Sequence, residues 1–110
     1  MIQSFIEKNI EGTSIAKELS KSETSWFGVP IICDTPELKT KLQKHFEDNK
    51  IQTRNYFAGN ILLHPAYSGL DDYRGYPNAN KALTNVFFLG CPPQYTPSVL
   101  SYIEEVCKKW

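Results

Sequence analysis

The fold is set by the stretch Trp26-Phe-Gly-Val-Pro-Ile-Ile-Cys-Asp-Thr-Pro-Glu37, in which an apolar run passes directly into a helix start. The apolar run over 26–33 predicts a buried strand. Pro30 has no backbone N–H for a ladder, so this strand is expected at a sheet edge or at a bulge. The proline at position 36 already has a helical φ, and a helix is predicted from there to about residue 49.

The helix prediction has two further supports. A capping oxygen is available from Asp34 or Thr35, directly before the proline. Leu38, Leu42 and Phe46 then recur at helical spacing and define one apolar face. The pattern therefore indicates a helix that covers the preceding strand.

Three more elements and a short helix complete the predicted order. Residues 51–57 indicate a strand, and Val86-Phe-Phe-Leu89 indicates a buried strand. A second threonine-proline start at 96–97 opens a final helix, and Asn78 is expected to cap a short helix that ends near residue 83. The sequence predicts an α+β fold, with a mainly antiparallel sheet of about three strands and helices packed on one face.

The domain division follows from a change in composition. Residues 1–24 begin with a weak helical pattern and then become polar, so they are interpreted as a lead-in helix and linker. Residues 25–110 are interpreted as one small domain, because a chain of 110 residues holds one modest core.

Composition narrows the classes of partner. Acidic and basic residues balance at 12 each, which leaves no basic field for nucleic acid or anionic membranes. No apolar run approaches the roughly 20 residues of a membrane span, and the N-terminus lacks a signal-peptide pattern. A cytoplasmic protein is expected.

Cys33, Cys91 and Cys107 are widely spaced among apolar residues and are interpreted as buried reduced thiols.

Several kinds of catalytic site are not indicated. No glycine-rich phosphate loop precedes a helix, and Ser25 and Ser68 lack a nucleophile elbow. His45 and His64 have no second ligand at metal spacing. No catalytic residue and no metal ligand is predicted in this chain.

Four residues stand out as candidates for binding. Arg54 offers a guanidinium fork for a carboxylate, a phosphate or a sugar hydroxyl, although pairing with an acid of the same domain is the alternative. Asn60 presents an amide, unless it only fills a left-handed turn. Trp26 and Phe27 either line a pocket or fill the core.

Three motifs together resemble a known family: Ser25-Trp-Phe-Gly-Val-Pro-Ile31, Asn85-Val-Phe-Phe-Leu-Gly90 and Ile51-Gln-Thr-Arg-Asn-Tyr-Phe-Ala-Gly-Asn-Ile-Leu-Leu-His-Pro-Ala-Tyr67. In order and spacing they are similar to the C-terminal segment of nucleotide-sugar 3-dehydrases, such as CDP-4-keto-6-deoxyglucose 3-dehydrase and GDP-4-keto-6-deoxymannose 3-dehydratase. These enzymes belong to the DegT/DnrJ/EryC1/StrS branch of the fold-type I pyridoxal-phosphate enzymes.

The resemblance implies a small C-terminal domain that closes one side of a sugar-nucleotide pocket. It places Phe27 towards the cofactor and substrate, where related aminotransferases commonly carry histidine, and Arg54 and Asn60 near the sugar nucleotide or the domain interface. His64 falls in the Leu-His-Pro turn, which departs from the more common Arg-Gln-Pro. Cys91-Pro-Pro93 departs likewise from a Tyr-Pro-Gly turn, so the specificity carried by both turns is open.

The same resemblance implies partners outside this chain. Pyridoxal or pyridoxamine phosphate would be held by a large domain, as would any iron-sulfur cluster. Complete enzymes of the family resemble dimers, and the oligomeric state of this protein is left open. The expected activity is C3 deoxygenation of a 4-keto-6-deoxy sugar nucleotide in deoxysugar or lipopolysaccharide biosynthesis, with this chain inactive alone. The alternative is a free-standing, noncatalytic module that binds a sugar nucleotide or a protein partner.

Overall fold

The α+β class is confirmed by a computed structural model that describes residues 1–110. Two short 3₁₀ turns, Ile61–Leu63 and Tyr73–Gly75, lie within the long connection before the third helix. The helices and strands, in chain order, are α1 (Ile2–Asn9), β1 (Thr13–Ile15), β2 (Gly28–Cys33), α2 (Pro36–Asp48), β3 (Thr53–Asn55), α3 (Pro77–Asn85), β4 (Val86–Gly90) and α4 (Pro97–Lys108).

The sheet has four strands in the order β1-β2-β4-β3, and every neighbouring pair is antiparallel. The expected count of about three strands is one too low, because β1 falls in the segment interpreted as a linker. β1 has only three residues and no apolar alternation, so its strand conformation depends on pairing with β2, with Ser14 opposite Ile32. The turn before it uses Gly12 at φ +76, a conformation that favours glycine.

The first fifteen residues share the core of the remainder. Ile2, Ile6, Ile10 and Ile15 are buried in one cluster with residues of the sheet and of α4. The division at residue 24 stays a prediction, although α1 and β1 pack as parts of the same fold.

Pro30 lies in an interior strand, so the prediction of an edge strand is wrong. At Pro30 itself, however, no neighbouring strand lies on the β1 side. Asp34 N–H donates to the Gly12 carbonyl at 2.8 Å, while Cys91 N–H donates to the Phe27 carbonyl at 3.2 Å. The backbone N–H and C=O groups of even-numbered residues in β2 therefore point towards β1, and those of odd-numbered residues point towards β4. The backbone nitrogen of Pro30 points towards the position after Ile15, where β1 has already ended. The missing N–H of Pro30 therefore costs the sheet no hydrogen bond.

Both threonine-proline helix starts form as the sequence predicts. Thr35 Oγ1 accepts the Leu38 N–H at 3.1 Å, and Thr96 Oγ1 accepts the Val99 N–H at 3.4 Å. The start of α3 differs from the prediction, because the helix begins at Pro77 and Asn78 is not its cap.

The helices pack on one face of the sheet, as predicted. Odd-numbered residues of β2 and β4 point towards α1, α2 and α4 and are almost fully buried there. The shared cluster contains Val29, Ile31, Cys33, Phe87 and Leu89 from the sheet, with Ile6, Leu42, Phe46, Ile103 and Val106 from the helices. The opposite face, called the outer face below, carries Phe88 and Arg54, which are register partners.

β3 is shorter than predicted, and α4 buries only part of its apolar residues. The strand expected over 51–57 is confined to Thr53–Asn55. In α4 the buried residues are Ile103, Val106 and Cys107, whereas Val99, one helical turn before Ile103, is exposed. No helix reaches the length and apolarity that crossing a membrane requires.

Truncating Phe46 should strongly destabilise the fold. Phe46 is fully buried and packs against Phe87 with ring centroids 6.3 Å apart. Phe46→Ala leaves a cavity and is expected to lower the free energy of unfolding by about 3–5 kcal/mol in urea titrations. Leu70→Ala, at a side chain that is 73% exposed, is the control, with an expected change within about 0.5 kcal/mol. Equal losses in both variants would contradict this core assignment.

The three thiols should differ in reactivity. Cys33 and Cys107 are buried, and burial raises the pKa of each thiol to about 11, whereas Cys91 is half-buried. The thiolate is the reactive form, so Cys33 and Cys107 should resist alkylation near neutral pH until the chain unfolds. Mass spectrometry after iodoacetamide treatment, with and without urea, measures the rates. Labelling of Cys33 in the folded chain as fast as in urea would show that this part of the core opens.

Candidate functional site

The outer face is built around Phe88, which is only 7% exposed although it points away from the main core. Three aromatic rings cover it: Phe27, Phe57 and Tyr56, with centroids 6.0, 5.8 and 6.4 Å from the Phe88 centroid. Phe27 and Phe57 are themselves 77% and 71% exposed. The cluster therefore presents large apolar surfaces outwards, as binding sites do.

Gly28 permits this arrangement. A Cβ atom added there would lie 2.4 Å from Cδ2 of Phe88 and 3.1 Å from the Leu89 carbonyl oxygen. The ring of Phe88 can therefore lie close to the backbone at the start of β2 only because position 28 has no side chain.

Arg54 lies beside this cluster and is exposed. The alternative of pairing with an acid of the same domain is not observed, since Arg54 makes no side-chain hydrogen bond. The four ion pairs of the structure involve other residues: Lys17–Glu7, Lys44–Asp48, Arg74–Asp72 and Lys108–Glu104. The guanidinium is free to bind an anion.

Two concavities adjoin the cluster and share Phe27, Phe57 and Phe88 as walls. The first, the groove, has a volume of about 1070 Å³ and runs past Arg54 towards Tyr95 and Tyr102. The second, the notch, has a volume of about 210 Å³. Its remaining lining residues are Thr24, Ser25, Trp26, Gly28, Pro30 and Tyr56.

The structure brings Trp26, Phe27 and Arg54 together. Trp26 is half-buried in the notch, while Phe27 forms the wall between the notch and the groove. The alternative that Phe27 fills the core is wrong, because most of its ring is open to solvent.

Asn60 is 3% exposed and bonds entirely within the chain. Its Oδ1 accepts the Leu62 N–H at 3.0 Å, and its Nδ2 donates to Asn80 Oδ1 at 2.7 Å and to the Tyr73 carbonyl at 3.2 Å. The left-handed residue of this turn is Gly59, at φ +67, whereas Asn60 is extended. Asn60 thus ties the connection over 61–76 to α3, and any contribution to a pocket would come through that support.

The two histidines contact backbone carbonyls. His64 Nε2 lies 3.1 Å from the Ala58 carbonyl oxygen and lines neither concavity. His45 Nε2 lies 2.8 Å from the Val106 carbonyl oxygen, and its ring meets Trp110 edge-on at 5.3 Å. His45 therefore links α2 to α4.

Sequence reasoning missed two residues of this surface and one buried lysine outside it. Tyr95 and Tyr102 line the far end of the groove, but helical spacing predicted only the core side of α4. Lys39 is buried, which lowers the pKa of its ammonium, and Nζ donates to the Leu83 carbonyl at 3.0 Å. Its place near the apolar face of α2 was the only signal.

A family model, described as the DegT/DnrJ/EryC1/StrS aminotransferase family, matches residues 3–108. The chain is 29% identical over 109 residues to the lipopolysaccharide biosynthesis protein RfbH of Salmonella typhimurium, a match that covers 91% of this chain and 25% of RfbH. It is 32% identical over 89 residues to a dTDP-4-dehydro-2,6-dideoxy-D-glucose 3-dehydratase of Saccharopolyspora spinosa, covering 76% of this chain and 19% of that protein.

Two solved structures share the fold at 14% sequence identity. The aminotransferase TlmJ from Streptoalloteichus hindustanus superposes with a TM-score of 0.77, over 98% of this chain and 29% of TlmJ. The sugar aminotransferase CalS13 from Micromonospora echinospora gives 0.78, over 98% of this chain and 28% of CalS13. The chain therefore spans about a quarter of the length of the relatives it matches.

Removing the Asn60 amide should loosen the connection over 61–76 and the start of α3 without unfolding the sheet. Asn60→Ala leaves the Leu62 N–H and the Asn80 amide without their partner, at an expected cost of about 1–3 kcal/mol. Hydrogen exchange should accelerate over 60–80 and stay slow in β2 and β4. Asn78→Ala, at an exposed amide on α3 without such bonds, is the control. Unchanged exchange over 60–80 in Asn60→Ala would show that other contacts hold this segment.

Proposed function

Because the chain belongs to the DegT/DnrJ/EryC1/StrS aminotransferase family, we propose that it is the C-terminal small domain of a nucleotide-sugar 3-dehydrase. In the complete enzyme this domain closes one side of the pocket for a 4-keto-6-deoxy sugar nucleotide. The reaction is C3 deoxygenation, with pyridoxamine or pyridoxal phosphate supplied by a large domain. One relative is a 3-dehydratase, which supports this choice of reaction. The resemblance of the sequence motifs supports it too, since it places Phe27 where related aminotransferases commonly carry histidine.

One observation carries the proposal: the unpaired guanidinium of Arg54 beside exposed aromatic rings. Ligand pockets are mostly apolar with a few polar groups that fix orientation, and a guanidinium is suited to a diphosphate. Arg54 lies in the groove with Phe27, Phe57 and Phe88, so charge and apolar surface occur together. A sugar nucleotide combines the same two properties.

The residues of this chain do not fit a pyridoxal phosphate site. The ammonium of the buried Lys39 donates a hydrogen bond to the Leu83 carbonyl, where α2 meets α3 and away from the groove. The cofactor supplies the electron sink in this chemistry, while the protein binds and orients. This chain's part is therefore to orient the substrate: Phe27 forms a wall of the pocket, Arg54 binds the diphosphate, and Asn60 holds the segment that follows. Trp26 and His64 stay predicted pocket residues.

The relatives' length supports a large-domain partner. A chain that spans about a quarter of its relatives contains only a part of their fold. The exposed rings of Phe27 and Phe57 fit a surface that another domain approaches. The same exposure favours a second candidate function, a noncatalytic module that binds a protein partner through this face. The DNA on the 5′ side of the Met1 codon separates the two candidates, because only the first requires a large-domain reading frame.

Replacing Arg54 should impair the complete enzyme. The chain is produced together with its large domain, and conversion of 4-keto-6-deoxy sugar nucleotides is followed by mass spectrometry with pyridoxamine phosphate present. Loss of a charged hydrogen-bond partner in Arg54→Ala is expected to lower kcat/KM by about 10- to 100-fold. Arg74→Ala, at the other arginine, which pairs with Asp72 outside the groove, should change it by less than about twofold.

These assays test the role of Arg54 and the type of reaction separately. Wild-type kcat/KM in Arg54→Ala would remove the diphosphate role of Arg54. If no sugar nucleotide is converted and none shifts the melting temperature of the protein, the dehydrase proposal is refuted. Formation of an amino sugar in place of a 3-deoxy sugar would reassign the reaction to transamination.

A further inference from the structure

Lys39 is the one charged residue among the buried side chains, and it lines neither concavity. It is 7% exposed, and none of the four ion pairs includes it. Lysine is rarely buried without a partner, because an ammonium that loses water must regain hydrogen bonds. The bond from its Nζ to the Leu83 carbonyl, at 3.0 Å, joins α2 to α3 across 44 positions of the chain.

This bond supplies a cap for the C-terminal end of α3. Leu83 belongs to the last turn of that helix, where carbonyl groups have no partner within the helix. The same end of a helix carries partial negative charge, which an ammonium stabilises, and α3 has no basic residue in its own last turn. Asn85 is a second anchor, because its Nδ2 donates to the Cys33 carbonyl of β2 at 2.9 Å. α2 and β2 together therefore hold the end of α3.

The side chain of Leu83 contacts the turn over 56–60, which carries two rings of the outer face. A Cβ atom added at Gly59 would lie 2.8 Å from Cδ1 and 3.3 Å from Cα of Leu83. The Gly59 N–H closes the turn by donating to the Tyr56 carbonyl at 3.0 Å. The turn therefore approaches α3 as closely as a glycine allows.

A second contact joins the same turn to α3. Asn60 Nδ2 donates to Asn80 Oδ1 at 2.7 Å, about one helical turn before Leu83. Phe57 belongs to the turn, and its ring meets that of Phe88 in β4 with centroids 5.8 Å apart. The orientation of α3 therefore decides where the Phe57 ring lies relative to the sheet.

We propose that Lys39 is a positioning residue: its bond to the Leu83 carbonyl fixes the orientation of α3, and α3 sets the position of the Phe57 wall of the groove. The use of this wall for a sugar nucleotide rests on the proposed function. The coupling between position 39 and the wall requires no ligand.

The test removes the ammonium from the full chain. Lys39→Met keeps a long unbranched side chain without a donor for the Leu83 carbonyl. It should shift the NMR signals of the Gly59 amide and of the Phe57 ring. Hydrogen exchange in the last turn of α3 should accelerate by about 10- to 100-fold, because a hydrogen bond to a charged group is lost. Lys44→Met is the matched control on α2, at an exposed lysine that pairs with Asp48, and should change none of these signals.

A double-mutant cycle tests whether Lys39 acts through α3. Leu83→Ala removes the side-chain atoms nearest to Gly59 and keeps the carbonyl that Lys39 binds, and the 42% exposure of Leu83 favours a folded variant. In this background Lys39→Met should still accelerate exchange in the last turn of α3. It should shift the Phe57 signals by less than about half as much, because only the contact between Asn60 and α3 then connects them.

Unchanged Gly59 and Phe57 signals in Lys39→Met would overturn the proposal. Equal shifts of the Phe57 signals with and without the Leu83 side chain would also overturn it, since Lys39 would then act by another route. Lys39→Leu, with the same expected shifts, replaces Lys39→Met if circular dichroism shows that variant to be unfolded. These signals are measured without substrate, so a failed dehydrase assay leaves the coupling intact, and a missing coupling leaves the dehydrase proposal intact.

Discussion

The packing of Phe87 and Phe88 on opposite faces of β4 is the interaction on which the remainder of the structure depends. β4 is an interior strand, paired with β2 on one side and β3 on the other, and its first four residues are all buried. An antiparallel sheet with helices on one face usually alternates apolar and polar residues. β4 does not, so its outer face must be covered by other means.

That requirement accounts for the unusual residues around the site. Phe88 is covered by rings from the segment before β2 and the segment after β3, two parts of the chain that meet only in the folded state. Gly28 allows the ring to lie close to the backbone. Full burial of a phenylalanine contributes roughly 1.5–3 kcal/mol. The cover is nevertheless incomplete, because Phe27 and Phe57 remain open to solvent on their outer sides.

The incomplete cover and the length of the relatives agree with each other. The chain spans about a quarter of RfbH, and its most exposed aromatic surface surrounds its free arginine. The long connection over 61–76 is not open to solvent at its base, where Asn60, Asn80 of α3 and the Tyr73 carbonyl are joined by hydrogen bonds. Hydrogen bonds within the chain therefore fix the base of the connection, whereas the rings of Phe27 and Phe57 stay open to solvent.

Local chemistry let the sequence alone determine α2, α4 and the course of β4. A threonine oxygen and a proline at a helix start act within one turn, and an unbroken apolar run of four residues can lie only in the interior. The family motifs likewise identified Trp26, Phe27 and Arg54 as candidate site residues.

Tertiary structure alone decided that Thr13–Ile15 is a strand, that the Asn60 amide is hydrogen-bonded within the chain, and that Arg54 has no acidic partner. Each of these depends on groups brought together across the fold, and the pairing of β1 with β2 joins residues about twenty positions apart. Such contacts form only when the core closes, because closing the connecting loops costs chain entropy that no local pattern reveals.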